Sequence, residues 1–164
     1  MNKKILVTGA SGHLGGMLFN SLKKIGYKNL IGTDLKKKNI KKNKKFILAN
    51  LKNFKETVKM TKNVYAIVHF GAIPIEDTQK NILQNNIIGT YNIFEAARIN
   101  RVKRIIFASS NHAIGFHRRT SKLDELSTQR PDSHYGLSKA FGEDLSRLYA
   151  DKFNIKSMCI RIGS

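Results

Sequence analysis

The sequence predicts an α/β fold, a doubly wound parallel sheet with helices on both faces, and three observations carry that prediction. Short apolar runs alternate with longer amphipathic ones. The apolar runs are continuous rather than alternating, as strands buried on both faces require. The first of them passes straight into a glycine-rich turn that opens a helix. At 164 residues, 41% of them hydrophobic, the chain is long enough for one domain with a real core.

The elements follow in order. The apolar run Lys4 to Thr8 is the first strand, ended by Gly9, and the segment after the glycines begins a helix. Asn29 to Thr33 forms the second strand and Asp34 closes it; Lys45 to Ala49 forms the third, stopped by the polar "NLKN". Ala66 to Phe70 is the fourth. Apolar positions then recur at three- and four-residue intervals from Thr78 through Ala97, the spacing of an amphipathic helix. Arg104 to Ala108 is the fifth strand. The stretch from Asn111 to Ser133 has no period and contains "RRTSKLDELSTQRPDS", which reads as a long functional loop at the strands' carboxyl edge. A second periodic helix spans His134 to Phe153, and Lys156 to Arg161 is the sixth strand.

Charge and cysteine content narrow the classes. The formal charge of +19 would suit an anionic surface, but much of it sits in "DLKKKNIKKNKKF", where no aromatic residues stand among the lysines as base-stacking would need. A solvated lysine-rich surface is therefore favoured over a nucleic-acid patch. The single cysteine, Cys159, lies in the apolar "IKSMCIRI", so it is expected to be buried and inert, with no internal disulfide and no metal cluster. The opening "MNKKILVTGASG" is too short in its apolar run for a signal peptide, and no stretch approaches a membrane span. A cytoplasmic setting is the expectation.

Two motifs carry chemistry. In "ILVTGASGHLGG", Gly9, Gly12 and Gly15 follow a strand and open a helix, where backbone N–H groups and the helix dipole favour a pyrophosphate. Asp34, at the end of the second strand, is placed to accept hydrogen bonds from both adenosine ribose hydroxyls. That makes the fold Rossmann-type and the expected cofactor NAD rather than NADP. Lys36, Lys37 and Lys38 directly after the acid leave a dual or NADP preference open. Further along, Tyr135 and Lys139 stand four residues apart on one helix face. An ammonium near a phenol favours the phenolate, so Tyr135 is expected to have a lowered pKa and to accept a proton from an alcohol. Ser109 and Ser110 end the fifth strand, where ligands of open parallel sheets bind.

Together "TGASGHLG", "SSNHAIGF" and "YGLSK" resemble the extended short-chain dehydrogenase/reductase superfamily, which includes the NAD-dependent epimerase/dehydratase family. Support comes from "HFGA" and from "QNNIIGTYNIFEAAR", with Asn86 at the position of that family's helix asparagine. The strings "SSNHAIGF", "ILQNNIIGTYNIFEAAR" and "IRIGS" look most like uronate dehydrogenases. The resemblance implies an oxidoreductase of carbohydrate metabolism. Ser110, Tyr135 and Lys139 would be catalytic. The nucleotide would meet Gly9, Ser11, Gly12, His13, Leu14, Gly15, Asp34, Asn50, Leu51, Gly71, Ala72 and Asn86, together with Tyr135 and Lys139. Ser110, Asn111, His112 and Ser164 would contact a sugar acid, whose carboxylate suits donors such as Asn111 and His112.

Three departures from the family pattern bear on this. Asn50 stands where an acidic residue usually meets adenine, and Pro74 where uronate dehydrogenases tend to have a serine. The chain ends at Ser164, so the substrate lobe is expected to be largely absent, the sixth strand to lie at or near the sheet edge, and the isolated chain to be poorly stable or to self-associate. The expected activity is oxidation of a hexuronate such as glucuronate or galacturonate to an aldarolactone. The alternatives are a nucleotide-sugar epimerase or dehydratase with tightly held NAD, and an inactive dinucleotide- or nucleic-acid-binding module. A homo-oligomer is compatible with the amphipathic helices.

Overall fold

The computed structural model describes residues 3–36 and 45–163. Lys37, Lys38 and most of the lysine-rich run, like Ser164, lie outside the described residues. Six parallel strands form one sheet in the order β3-β2-β1-β4-β5-β6: β1 (Ile5–Thr8), β2 (Leu30–Asp34), β3 (Phe46–Leu48), β4 (Ala66–His69), β5 (Arg104–Ser110) and β6 (Lys156–Ile162). The chain moves outward from β1 to β3 and then crosses back to place β4 beside β1. This reversal opens a crevice at the carboxyl ends of β1 and β4. Register brings the strand ends level: Thr8 pairs with Thr33 on one side and His69 on the other, and His69 pairs with Phe107.

The continuous apolar strands feed two cores because successive side chains point to opposite faces. Val7 and Val68 pack with Phe19 of helix α1 (His13–Lys24) on one face. Leu6 and Ile67 pack on the other face, under α4 (Gly89–Ile99) and α5 (His134–Phe153), against Ile93, Phe94, Phe107 and Tyr149. Helix α2 (Phe54–Met60) joins this second layer and is capped by Asn53, whose side chain accepts from the Glu56 N–H while its amide donates back to Glu56. Ser133 caps α5 through the Gly136 N–H, and Asn154 ends it in the left-handed conformation at φ 55°. Both are residue types that such ends favour.

Three expectations need correction. The helix foreseen over Thr78 to Ala97 is α3 (Gln79–Ile82), a π-helical segment (Leu83–Ile88) and α4, because a wide turn is inserted ahead of Gly89. The aperiodic loop after β5 begins with a 3-10 turn (Asn111–Ile114) whose N-cap is the Ser110 side chain. Cys159 is only half-buried, packed against the core from a strand with one open side; burial pushes its thiol pKa up. As expected, β6 is an edge strand, and it leaves Met158 60% and Ile160 46% exposed. No helix among the described residues is long and apolar enough to cross a membrane.

Candidate active site

A cleft of about 950 Å³ runs along the carboxyl ends of the strands, from Asp34 at one end to His112 at the other. Its floor is the glycine turn. Gly9 has φ 66°, and a Cβ there would stand 2.8 Å from the Phe70 carbonyl carbon; a Cβ at Gly15 would meet the Gly9 oxygen at 2.2 Å. Only glycine lets this turn close beneath the cleft. Gly12 is the N-cap of α1 and supplies no side-chain cap, so the first turn of the helix, with His13 and Leu14 on the cleft wall, offers its backbone donors to an anion.

Asp34 lines the cleft at the end of β2, where its carboxylate accepts from the Ser11 N–H at 3.0 Å and the Leu35 N–H at 2.7 Å. Ser11 itself is not on the wall. Its N–H braces the acid, while its hydroxyl donates to the Lys36 carbonyl at 2.7 Å. Asn50 and Leu51 line the cleft beyond β3; the Asn50 side-chain oxygen accepts from the Lys52 N–H and fixes the turn. On the opposite wall, Gly71 and Ala72 follow β4. The Gly71 N–H donates to Thr8 Oγ1, which stands 2.7 Å from His69 Nδ1, and His69 Nε2 reaches Thr90 Oγ1 at 3.2 Å. Full burial, with a smaller contribution from the Lys139 charge, lowers the His69 pKa to about 3.

At the far end Ser110, Tyr135 and Lys139 converge on the same cleft, with Asn111 and His112 beside them. The Ser110 hydroxyl donates to Asn111 Oδ1 at 3.1 Å and accepts from the His112 N–H at 3.2 Å. Lys139 Nζ lies 5.4 Å from the Tyr135 ring centroid and donates to the Ala108 carbonyl at 2.8 Å. The expected phenolate does not follow from this pairing. Burial raises the Tyr135 pKa, the Ser110 hydroxyl opposing it in part, and burial lowers Lys139 to about 8. Desolvation disfavours both charged forms, and the ammonium beside the phenol does not offset it.

Asn86 requires a second correction. It is buried behind the cleft rather than on its wall: Oδ1 accepts from the Ile73 N–H, and Nδ2 donates to the Ile73 carbonyl and to Ser138 Oγ. The π-helical segment carries it, as such segments often carry functional residues. It ties the loop after β4 to α5 and so positions Tyr135 from behind. Pro74 lines the cleft as expected.

Three acids that sequence reasoning missed also hold this end. Glu76 accepts from the backbone N–H groups of His134 and Tyr135, at 3.1 and 2.7 Å, clamping the start of α5. Asp132 meets His112. Glu143 is nearly buried and takes both guanidinium arms of Arg161, at 2.9 and 2.8 Å, with the Ser109 hydroxyl at 2.5 Å and Gln129 at 3.1 Å. Burial works against its ionisation, but these donors hold its pKa below the usual carboxylate range.

Residues 5–164 match the family described as NAD dependent epimerase/dehydratase. A uronate dehydrogenase of Pseudomonas putida is 41% identical over 164 residues, which cover 98% of this chain and 60% of that protein. The crystal structure of uronate dehydrogenase from Agrobacterium tumefaciens superposes with a TM-score of 0.92 at 40% identity, over 100% of this chain and 62% of that one. A tyrosine-to-alanine variant from the same organism, complexed with NAD, gives 0.91 at 40% identity, over 99% and 61%. The chain thus spans about three fifths of the length of these relatives.

Proposed function

The chain belongs to the NAD dependent epimerase/dehydratase family, and from that premise we propose that it carries the cofactor half of an NAD-dependent uronate dehydrogenase, working in the cytoplasm on a hexuronate such as glucuronate or galacturonate. The observation that carries the reading is the convergence of Ser110, Tyr135 and Lys139 on a cleft whose other end holds the glycine turn and Asp34. Similarity to uronate dehydrogenases supports the substrate class.

The residues fit NAD. The Gly9 to Gly15 turn and the first turn of α1 would hold the pyrophosphate, Asp34 the adenosine ribose, Asn50 and Leu51 the adenine, and Gly71 and Ala72 the opposite wall. Tyr135 and Lys139 would hold the nicotinamide ribose. A bound NAD would supply the acceptor for the hydride that leaves the anomeric carbon. Ser110 holds the anomeric oxygen, and Tyr135 takes the proton from it, so the ring carbon loses two electrons and becomes a lactone carbonyl. Burial raises the Tyr135 pKa, so oxidation should quicken as pH rises toward the phenol's ionisation. Asn111 and His112 complete the sugar site among the described residues. A second copy of the chain would pack on the exposed Tyr91 of α4 and Leu137 and Leu148 of α5.

The test is NADH formation followed at 340 nm with glucuronate or galacturonate. Tyr135→Phe should lower the rate by at least about a hundredfold, the lower end for a lost general base. Retained activity in that variant would refute the assigned base. Sugar turnover with no NADH released would point instead to an epimerase or dehydratase.

A further inference from the structure

Asp132 and His112 stand twenty positions apart in sequence and meet at the cleft's substrate end, where His112 Nδ1 lies 3.0 Å from both carboxylate oxygens. The contact is built rather than incidental. The Asp132 N–H donates to the His112 carbonyl and the Arg130 N–H to the Ala113 carbonyl, so the loop returns along the 3-10 turn. Ser133 Oγ donates to Asp132 Oδ1 at 2.9 Å. Two glycines make the room: a Cβ at Gly115 would stand 2.0 Å from Asp132 Oδ2, and one at Gly136 would stand 2.3 Å from the His112 carbonyl oxygen. The His112 ring then sets its edge against Tyr135, with centroids 5.7 Å apart at 74°.

An ionised carboxylate can only accept, so Nδ1 must carry the proton, and the neutral imidazole is left with a lone pair at Nε2. We propose that Asp132 is a positioning residue that fixes His112 in the Nδ1–H form, so that His112 selects a sugar hydroxyl next to the oxidised carbon instead of donating to the substrate's carboxylate. The contact with Tyr135 places His112 next to that carbon. Asn111, whose Oδ1 already accepts from Ser110, keeps its amide hydrogens for the carboxylate. The part concerning the sugar rests on the uronate reading above; the tautomer does not.

The experiment is long-range proton–nitrogen NMR on the chain labelled with 15N-histidine, at a pH where His112 is neutral. It is paired with titration of glucuronate and 2-deoxyglucuronate onto the NADH-saturated protein, which cannot oxidise them. The wild type should show His112 with Nδ1 protonated and should bind glucuronate about tenfold more tightly, one lost hydrogen bond's worth. In Asp132→Asn, whose amide can donate as well as accept, the Nε2–H form should appear and the tenfold preference should collapse, with NAD affinity unchanged. Gly115→Ala, which crowds the carboxylate from the other side, should act in the same direction. A wild-type Nε2–H tautomer, or an Asp132→Asn spectrum identical to wild type, would overturn the proposal. Loss of uronate binding in a wild type that keeps the Nδ1–H form would sink the substrate reading alone and leave the hold of Asp132 on His112 standing.

Discussion

Replacing Lys139 with Met should stabilise the protein while abolishing the NADH formation proposed for it. Lys139 is 5% exposed, and burial lowers its pKa from 10.5 to about 8. At 1.36 kcal/mol per pH unit, holding the ammonium there at pH 7 costs the fold about 3 kcal/mol. Met fills a similar volume without charge but forfeits the bond to the Ala108 carbonyl, about 1 kcal/mol. The net expectation is a gain of about 2 kcal/mol, or roughly 4 to 8 °C in Tm for a chain of this size. Between pH 8 and 10.5 the unfolded chain holds a proton that the folded one has released, so wild-type stability rises with pH across that window. Urea melts of both proteins from pH 7 to 10.5 should therefore show a gap that is constant below about pH 8 and closes above it. A Lys139→Met variant less stable than wild type at pH 7, or a gap unchanged at pH 10.5, would refute the reasoning.

Two further outcomes concern groups buried near the cleft. Glu143→Gln should lose about 3 kcal/mol in urea melts, because an amide cannot receive both arms of Arg161 and leaves a largely buried guanidinium uncompensated. A double variant with Arg161→Met should recover part of that loss, and a loss below about 1 kcal/mol would show the pair to be dispensable. His69 is buried uncharged, with its pKa lowered from 6.5 to about 3. Its unfolded form binds a proton first as pH falls, so wild-type stability should drop through that window. His69→Gln should remove about 3 kcal/mol of the drop between pH 7 and 4. Equal acid sensitivity in both proteins would mean that carboxylates alone govern it.

Much of the fold was legible because it is written in local pattern. Continuous apolar runs such as Ile5–Thr8 and Ala66–His69 can only be strands covered on both faces, and both are. The glycine spacing foretold a close approach of backbone that a Cβ at Gly15 would forbid. The four-residue step from Tyr135 to Lys139 put both on the cleft wall. Asn86 stood out in the sequence as a cofactor-site candidate, but its burial behind the cleft was not legible there. An inserted π-helical turn, which no period in the sequence announces, buries it against Ile73 and Ser138.

By itself, then, the sequence determined the strand order of events: which segments bury two faces, where the chain must turn on glycine, and which side chains end the strands. Tertiary structure alone decided which acids serve those side chains. Glu76 reaches Tyr135 across 59 positions, Glu143 reaches Ser109 across 34, and Asp132 reaches His112 across 20. It also decided which way the pKa values of Tyr135 and Lys139 move, because desolvation in the assembled cleft sets them, and spacing along one helix carries no record of how much water the fold will exclude.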